Sequence, residues 1–380
     1  MTHIEDLLEQ PGNSITEDAI TDLIDERAIA HDDAPPAIGN SPKELNKEIE
    51  DLLAGLEAAE GCFDLDLIVS LRKMFAAELV RNNSLLVHRQ ETHVRDIPSI
   101  GVTDTIADLA GVLFALVMKD RKDLALVGLN RYLKKTDDFS GLRLAYFYGA
   151  LHALHKALDL SRTCQIETQS RRKSDLQAQS TNAAEFALVF LSQQVGKRVV
   201  AIGGLSGAGK TTLGRALSPR FMAVHVRSDA VRKHLYGCPV EAKAPLAAYN
   251  EEHSEKTYRG LEERLGFVLD SGFNAVIDGV YADESDRDSL ENICHHKGIQ
   301  FTGIWCSVPA DVAQKRIVAR MQHRSGDEGE YDTDLVHHEK QLLLNPGRIT
   351  WHRLDTLYGV EQLVDRCMSL LDLSGEVKFG

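Results

Sequence analysis

The chain has 380 residues, 43% of them hydrophobic, which is enough for two or three folded domains. Its formal net charge of −14 argues against a strongly basic nucleic-acid-binding surface, although it leaves a polynucleotide substrate open. The six cysteines form no C-x-x-C pair, the longest apolar run (109–118) is too short to span a bilayer, and the acidic N-terminus lacks the layout of a signal peptide. We therefore expect a soluble, cytoplasmic protein with no membrane partner.

The first 40 residues are predicted to form a flexible acidic arm. Asp32-Asp33 and Pro35-Pro36 mark a break in the chain. Only residues 15–29 have the spacing of a short helix, with Ser14 placed to cap it. The arm is therefore expected to be loosely attached.

Residues 41–160 are predicted to form an all-helical domain. Ser41 and Pro42 have the order of an N-cap followed by a first helical residue. Apolar residues then recur at helical spacing, and no convincing strand alternation precedes residue 190. The predicted helices cover 45–56, 65–80, 103–118, 124–133 and 142–158. Residues 161–195 are predicted to be a linker or a solvated helix, whose apolar end, 183–191, packs on the next domain.

Residues 196–375 are predicted to form an α/β domain. The pattern changes at Arg198 to strands alternating with helices, which is typical of βαβ units and a parallel sheet with helices on both faces. The predicted strands are 199–202, 223–226, 274–277, 303–306 and a short fifth segment, 349–351. The predicted helices are 210–217, 229–235, 250–269, 284–296, 310–322, 333–344 and 360–371.

The turn between the first strand and first helix of this domain reads G-x-x-x-x-G-K-[ST]. Glycines there let backbone N–H groups converge on phosphate oxygens, and the opening helix directs its partial positive charge at the same anion. Lys210 is expected to reach the β- and γ-phosphates of ATP, and the Thr211 hydroxyl to bind Mg²⁺. The predicted nucleotide-binding residues are Gly204, Leu205, Ser206, Gly207, Ala208, Gly209, Lys210, Thr211 and Thr212. A chance glycine-rich turn before Lys-Thr is the alternative interpretation.

The second strand ends in Arg227-Ser228-Asp229, and ligands of open α/β sheets bind beyond the carboxyl ends of strands. Asp229 is therefore predicted to face the γ-phosphate, where a carboxylate accepts the proton of an attacking hydroxyl or orients Mg²⁺. Arg232 follows one helical turn later and is predicted to hold an anionic substrate group, as Arg227 also could. The alternative is a capping Asp229 with solvated basic neighbours.

Asp278 ends the third strand, where an acidic residue is placed to bind the Mg²⁺ shell through water. A simple Asp-Gly turn is the alternative. Tyr281 and Arg287, further along the chain, are candidates for lining the acceptor pocket.

Arg316 and Arg320 lie one turn apart in the helix after the fourth strand. The polar stretch that follows, 323–334, is predicted to be a mobile lid. Arginines closing with such a lid would neutralise charge on the transferring phosphoryl group and exclude water. A solvated basic helix face is the alternative.

Three segments, GGLSGAGKTT, VRSDAVRKHLYG and AVIDGVYADESDR, together resemble a family of small P-loop kinases. They look like the kinase domain found fused behind an aminoglycoside-phosphotransferase-like domain in bacteria. They are similar, more distantly, to polynucleotide 5′-kinase, gluconate kinase and zeta toxins. The resemblance covers residues 195 to about 372 and implies an α/β P-loop kinase preceded by an all-α domain. It also implies that Asp229 activates the acceptor hydroxyl and that Arg232 contacts the substrate.

A weaker likeness covers the helical half. The segment Asp104-Thr-Ile-Ala-Asp108-Leu-Ala and the later NRYLKKTDDFSGLRLAYFYGALHALHKA look like the helical C-terminal part of a phosphotransferase-like domain. The sequence has no H-G-D catalytic loop, no D-F-D segment and no room for a nucleotide-binding N-lobe. The likeness therefore implies a truncated, degenerate remnant in which Asp104 and Asp108 are helix-start and structural carboxylates.

The predicted function is an ATP- and Mg²⁺-dependent kinase that phosphorylates a hydroxyl of a small molecule or nucleotide. The predicted catalytic residues are Lys210, Asp229, Arg232, Arg316 and Arg320, and the predicted metal ligands are Thr211 and Asp278. Two alternatives stay open: a nucleotide-gated binding module with slow ATP hydrolysis, and a toxin-like kinase of a nucleotide sugar.

Overall fold

The structure is a computed structural model that describes residues 11–59, 63–192, 197–322, 339, 341–342, 344 and 346–371. The chain divides into two compact units. The first comprises Met1–Tyr132 and Ser140–Gln194, and the second comprises Leu133–Phe139 and Val195–Gly380. None of the helices within the described ranges carries an apolar stretch long enough to cross a membrane.

The first unit is largely helical. The described helices of this half of the chain are α1 Glu17–Asp33, α2 Pro42–Glu57, α3 Leu65–Thr92, α4 Thr105–Met118, α5 Lys122–Thr136, α6 Leu142–Ile166 and α7 Ser170–Ser192. The last four residues of α5, 133–136, belong to the second unit. A buried ion pair lies inside it: Arg89 Nε and Nη2 donate to the Asp104 carboxylate at 2.8 and 2.7 Å. Asp104 also caps α4 by accepting from the Ile106 amide. Asp108 accepts from His31 Nε2 at 2.9 Å.

The predicted flexible arm is wrong for residues 11–33. Helix α1 packs into the helical unit, with Ile20 and Ile24 completely buried. Thr16 caps it rather than Ser14, since the Thr16 hydroxyl accepts from the Ala19 amide. An apolar stripe inside a mostly acidic segment stabilises the helix by burial, which outweighs the charge that suggested a solvated arm.

Two further departures concern the helical half. Strands β1 Val94–Ile97 and β2 Gly101–Asp104 pair as an antiparallel hairpin, which the all-helical prediction misses because four-residue strands are too short to show alternation. Within the predicted 161–195 linker or solvated helix, the end of α6 is followed by α7, so the departure lies in the predicted packing of 183–191 on the next domain. Helix α7 packs along α6 within the first unit, burying Ala183 and Ala184.

The second unit is an α/β domain with a five-stranded parallel sheet, which confirms the predicted fold class. In chain order the strands are β3 Arg198–Gly203, β4 Ala223–Arg227, β5 Asn274–Asp278, β6 Gln300–Ser307 and β7 His352–Asp355. Their spatial order is β4-β5-β3-β6-β7. The helices are α8 Lys210–Arg220, α9 Ser228–Tyr236, α10 Glu251–Asp270, α11 Glu284–His296, α12 Ala310–Gln322 and α13 Val360–Leu370.

Burial explains why this sheet forms the core. Every residue of β5 is buried, so both faces of the central sheet are covered. Val200 and Ile202 on β3 share one apolar cluster with Leu213 and Leu217 of α8 and Val364 of α13. This packing fixes the carboxyl ends of the central strands, at which the candidate site lies.

The predicted fifth strand is displaced by three residues, because β7 is His352–Asp355 rather than 349–351. Trp351 instead packs across Gly303 of β6, where an added Cβ would lie 2.3 Å from the indole. The predicted helix 333–344 and the predicted lid 323–334 lie, apart from residues 339, 341, 342 and 344, outside the described residues.

Candidate active site

The segment from Gly204 to Thr211, called the phosphate loop below, connects β3 to α8 and includes the first two residues of α8. Gly204 has φ 139°, and a Cβ there would lie 2.4 Å from the Cys306 carbonyl oxygen. Gly207 has φ 83°, and a Cβ there would lie 2.8 Å from the Ala313 carbonyl oxygen. Both positions therefore require glycine. Without a Cβ, the backbone adopts the positive φ angles of the tight bend. The loop starts at a fixed place, because the Gly204 amide donates to the Val280 carbonyl at 3.1 Å.

The side chains of Thr356 and Arg316 form hydrogen bonds that hold the loop. The buried Thr356 hydroxyl donates to the Ala208 carbonyl at 2.7 Å. Arg316 Nη2 donates to the Thr356 carbonyl at 2.7 Å, and Nη1 donates to the Gly207 carbonyl at 3.4 Å. The structure therefore places the predicted Arg316 at the loop. Thr356 carried no sequence signal, because it follows a short, poorly apolar strand.

Two donors of the loop segment, Lys210 Nζ and the Ser206 amide, form hydrogen bonds with other parts of the protein. Lys210 Nζ donates to the Leu205 carbonyl at 3.1 Å. The Ser206 amide donates to Gln341 Oε1 at 2.8 Å. An amide oxygen therefore bonds to a backbone N–H of the kind that binds phosphate oxygens. Gln341 was not predicted, since it lies 135 residues from Ser206 in the chain.

Asp278 lies beside the loop strand, because the parallel register pairs it with Ile202. Its carboxylate is buried and accepts from His225 Nε2 at 2.8 Å. Burial raises the pKa of Asp278, but the His225 hydrogen bond and the charges of Arg227 and Lys210 offset this, so the pKa falls below its ordinary value. Asp278 is therefore an ionised carboxylate at neutral pH.

The donors available to Mg²⁺ are hard oxygens. The Asp278 carboxylate and the Thr211 hydroxyl fit this metal, which keeps several waters and combines one or two protein ligands with substrate phosphates. Among the described residues no group of three His, Cys, Asp or Glu side chains forms a protein-only metal cage. The residues present thus fit a metal bound together with a nucleotide.

The side chain of His225, on β4, is buried. Burial lowers the pKa of its imidazole, and the Asp278 carboxylate, which acts in the opposite direction, does not compensate. Arg227 and Arg215 lower this pKa further. Sequence analysis missed His225, although a histidine at the centre of the apolar strand AVHVR was the available signal.

Asp229 and Arg232 lie in α9, which begins directly after β4. Asp229 Oδ2 lies 3.4 Å from Nζ of the fully buried Lys233, which also donates to the Val240 carbonyl. Arg232 Nη1 donates to the Ala248 carbonyl at 2.7 Å, and its guanidinium lies 4.6 Å from the Tyr249 ring centre. Asp229 thus follows the end of β4, whereas Arg232 is held against the segment before α10.

Two other predicted residues, Arg287 and Tyr281, differ in placement. Arg287 is almost completely buried and donates to backbone carbonyls of Tyr281 and Pro346, both at 2.7 Å, so it joins two loops rather than lining an acceptor pocket. Tyr281 is buried against Tyr258 and Trp351 with φ 48°, which likewise excludes the predicted lining role. Arg320 lies in α12, one turn after Arg316, and its side chain lies outside the described part.

A pocket of about 360 Å³ opens between α9 and α10. Arg232 lines it from α9, and His253, Lys256 and Arg259 line it from α10, with Glu263 as an acidic member. Arg232, Lys256 and Arg259 make this pocket suited to an anionic group, and Lys256 also pairs with Glu252 at 2.6 Å.

Part of the chain, including the phosphate loop, matches the model of a known family. Residues 199–342 match the model of a family described as an AAA domain. The uncharacterized proteins Mb2027c of Mycobacterium bovis and Rv2004c of Mycobacterium tuberculosis are each 26% identical over 257 residues, which cover 67% of this chain and 49% of each relative. The chain therefore spans about half the length of the curated relatives it matches.

Three solved structures align with a little under half of the chain. An unliganded sugar kinase from Janibacter sp. HTCC2649 is 22% identical, with a TM-score of 0.36, over 47% of this chain and 96% of its own. The Mycobacterium tuberculosis APS kinase CysC, in complex with AMPPNP and APS, is 15% identical (TM-score 0.35; 46% and 98% covered). A gluconokinase from Sinorhizobium meliloti 1021 is 16% identical (TM-score 0.32; 48% and 99% covered).

Proposed function

We propose that the second unit is an ATP-dependent kinase that transfers the γ-phosphoryl group to a hydroxyl of an anionic small molecule or nucleotide. The observation that carries this proposal is the juxtaposition of the Gly204–Thr211 loop with the buried carboxylate of Asp278 on the neighbouring strand. A phosphate cradle beside an ionised carboxylate is the arrangement that holds a metal-bound triphosphate. The family match over residues 199–342 supports the same region.

The chemistry assigned to this chain consists of positioning and charge stabilisation. Lys210 and the loop amides would hold the β- and γ-phosphates, and Thr211 and Asp278 would hold Mg²⁺, which would supply positive charge at the phosphate oxygens. Asp229 accepts the proton of the acceptor hydroxyl. The hydroxyl oxygen then bonds to the γ-phosphorus, and the bond between the γ-phosphorus and the β-phosphate oxygen breaks. The Lys233 ammonium lies 3.4 Å from Oδ2 of the Asp229 carboxylate and forms an ion pair with it.

The acceptor is proposed to bind in the pocket between α9 and α10. Arg232 lines that pocket and lies one helical turn beyond Asp229, so the two share a face of α9. An acceptor that carries a phosphate or carboxylate group would place that group among Arg232, Lys256 and Arg259. Its hydroxyl would then lie on the side of Asp229.

The test is ATP turnover by the full chain with a fractionated extract of bacterial metabolites, followed by mass spectrometry of the phosphorylated product. We expect Lys210→Ala to weaken nucleotide binding by roughly 10- to 100-fold, as for a lost charged hydrogen bond. We expect Asp229→Asn to lower kcat by about 10²- to 10⁴-fold, as for a lost general base, with nucleotide affinity unchanged.

Lys297→Ala and Asp288→Asn, both at exposed positions of the same unit, are the matched controls and should behave as the unsubstituted chain. Normal turnover in Asp229→Asn would reject its role as the base. Tight nucleotide binding with no phosphorylated product in any fraction would reject the kinase and favour a nucleotide-gated binding module.

A further inference from the structure

His225 occupies an unusual place in the second unit. It is the third residue of β4, between the apolar Val224 and Val226 and on the same face as Ala223 and the buried Arg227, and its side chain is only 6% exposed. Its Nε2 lies 2.8 Å from Asp278 Oδ2. On its other side the ring contacts α8, where a Cβ added at Gly214 would lie 2.5 Å from the same nitrogen.

The hydrogen bond has a defined direction. An ionised carboxylate only accepts, so the hydrogen lies on His225 Nε2 and Nδ1 carries a lone pair. Within the described part of the chain, His225 provides the one hydrogen bond that the Asp278 side chain accepts. Oxygen Oδ2 is thus engaged by the imidazole, and Oδ1 accepts no hydrogen bond from a described residue.

Packing fixes the imidazole as firmly as the hydrogen bond does. Gly214 lies one turn beyond Lys210 in the helix that follows the phosphate loop. Because no side chain projects from Gly214, the ring fits between that helix and the end of β5. The position of the Asp278 carboxylate is therefore coupled to the helix that carries Lys210 and Thr211.

We propose that His225 is a positioning residue that orients the Asp278 carboxylate so that Oδ1 is presented to the Mg²⁺ shell of the bound nucleotide. The proposal rests on the proposed function. A carboxylate with no hydrogen bond can rotate about its Cβ–Cγ bond and lose the orientation that a metal ligand needs. Hydrogen-bond partners of metal ligands commonly contribute 10- to 100-fold to metal affinity, and a rigid, buried donor is suited to this task.

The experiment compares two substitutions of His225 in the full chain. His225→Phe keeps a ring of similar size in the buried site and removes the donor, whereas His225→Gln keeps an N–H donor at nearly the same distance from the backbone. Mn²⁺ affinity in the presence of ADP is measured by electron paramagnetic resonance. Affinity for ADP without metal is measured by calorimetry in EDTA.

We expect His225→Phe to weaken Mn²⁺ binding at least tenfold and to leave metal-free ADP affinity within threefold of the unsubstituted chain. His225→Gln should retain Mn²⁺ affinity within threefold. Gly214→Ala, which presses on the same ring from α8, should weaken Mn²⁺ binding in the same direction, and it is the second measurement should His225→Phe not fold.

Two results would overturn the proposal while the proposed function stands. One is an unsubstituted chain that binds Mn²⁺ with ADP while His225→Phe and Gly214→Ala bind it equally well. The other is an equal loss of metal-free and metal-dependent ADP affinity in these variants, which would indicate a packing role. Failure of the unsubstituted chain to bind Mn²⁺ with ADP would instead reject the proposed function itself, and this inference with it.

Discussion

Gln341 competes for a backbone group that the proposed function assigns to phosphate. Its Oε1 accepts from the Ser206 amide at 2.8 Å, and that amide lies in the centre of the loop. A nucleotide phosphate that bonds to the same amide must first displace this oxygen. We therefore expect Gln341→Ala to bind MgATP about 2- to 10-fold more tightly, which corresponds to the net value of one hydrogen bond.

Calorimetric titration with MgATP measures this effect. Leu342→Ala, an exposed change at the next residue, is the matched control and should leave the affinity unaltered. A weaker affinity in Gln341→Ala would show that Gln341 assists the bound nucleotide instead of competing with it.

Asp286 is a half-buried carboxyl in the first turn of α11. Burial, together with the charges of Asp283 and Glu262, raises its pKa to about 6, and Arg287 offsets only part of this. Between about pH 4 and 6 the folded chain holds a proton that the unfolded chain has released. This carboxyl therefore favours folding at low pH, and that stabilisation is lost as the pH rises through its folded-state pKa.

We expect Asp286→Asn, which has the same shape without the charge, to raise the free energy of unfolding at pH 7.5. The gain should be about 1 kcal/mol, reduced from the full shift because a half-exposed group is screened by solvent. The gain should shrink towards zero near pH 4. Urea unfolding at both pH values measures it, with the exposed Asp288→Asn as control; an equal gain at both values would contradict the assignment.

The candidate site residues that the sequence indicates are those whose chemistry is local. The spacing from Gly204 to Thr211 and the acidic ends of two apolar strands, Asp229 and Asp278, were readable because each depends on a few consecutive residues. Gln341 and Thr356 reach the site only through tertiary packing, so no local pattern marks them, whereas the histidine inside the strand AVHVR was a local signal for His225. Arg287 and Tyr281 were misassigned for the same reason. No local pattern distinguishes a buried side chain that joins loops from one that lines a pocket.

Element boundaries follow the same rule. Strands β3, β4 and β5 are short apolar runs bounded by turns, and their predicted positions agree with the structure to within one residue at each end. Strand β7, with the sequence HRLD, buries only Leu354 and lies at the edge of the sheet, so its pairing with β6 defines it rather than its composition. Helix α1 was predicted as part of a flexible arm because its many acidic residues outweighed the apolar stripe, which packs into the helical unit.

The two units, each with its own core, predict how nucleotide binding affects the whole molecule. Separate cores favour separate cooperative unfolding, and a ligand stabilises the unit that binds it. MgATP at 100 times its dissociation constant adds about 2.7 kcal/mol. We expect the calorimetric transition of the second unit to rise by about 5 to 10 °C. Amide exchange should slow in β3 and α8 and stay unchanged in α3 of the helical unit.

Lys210→Ala is the control, because it removes the shift if the nucleotide acts through the phosphate loop. Slower exchange in α3 as well as in β3, abolished by Lys210→Ala, would contradict energetic independence of the two units. Binding at the loop would then stabilise the helical unit, which is what a nucleotide-gated module requires and what a kinase with a separate helical half does not. The same titration therefore separates the two functions without knowledge of the phosphoryl acceptor.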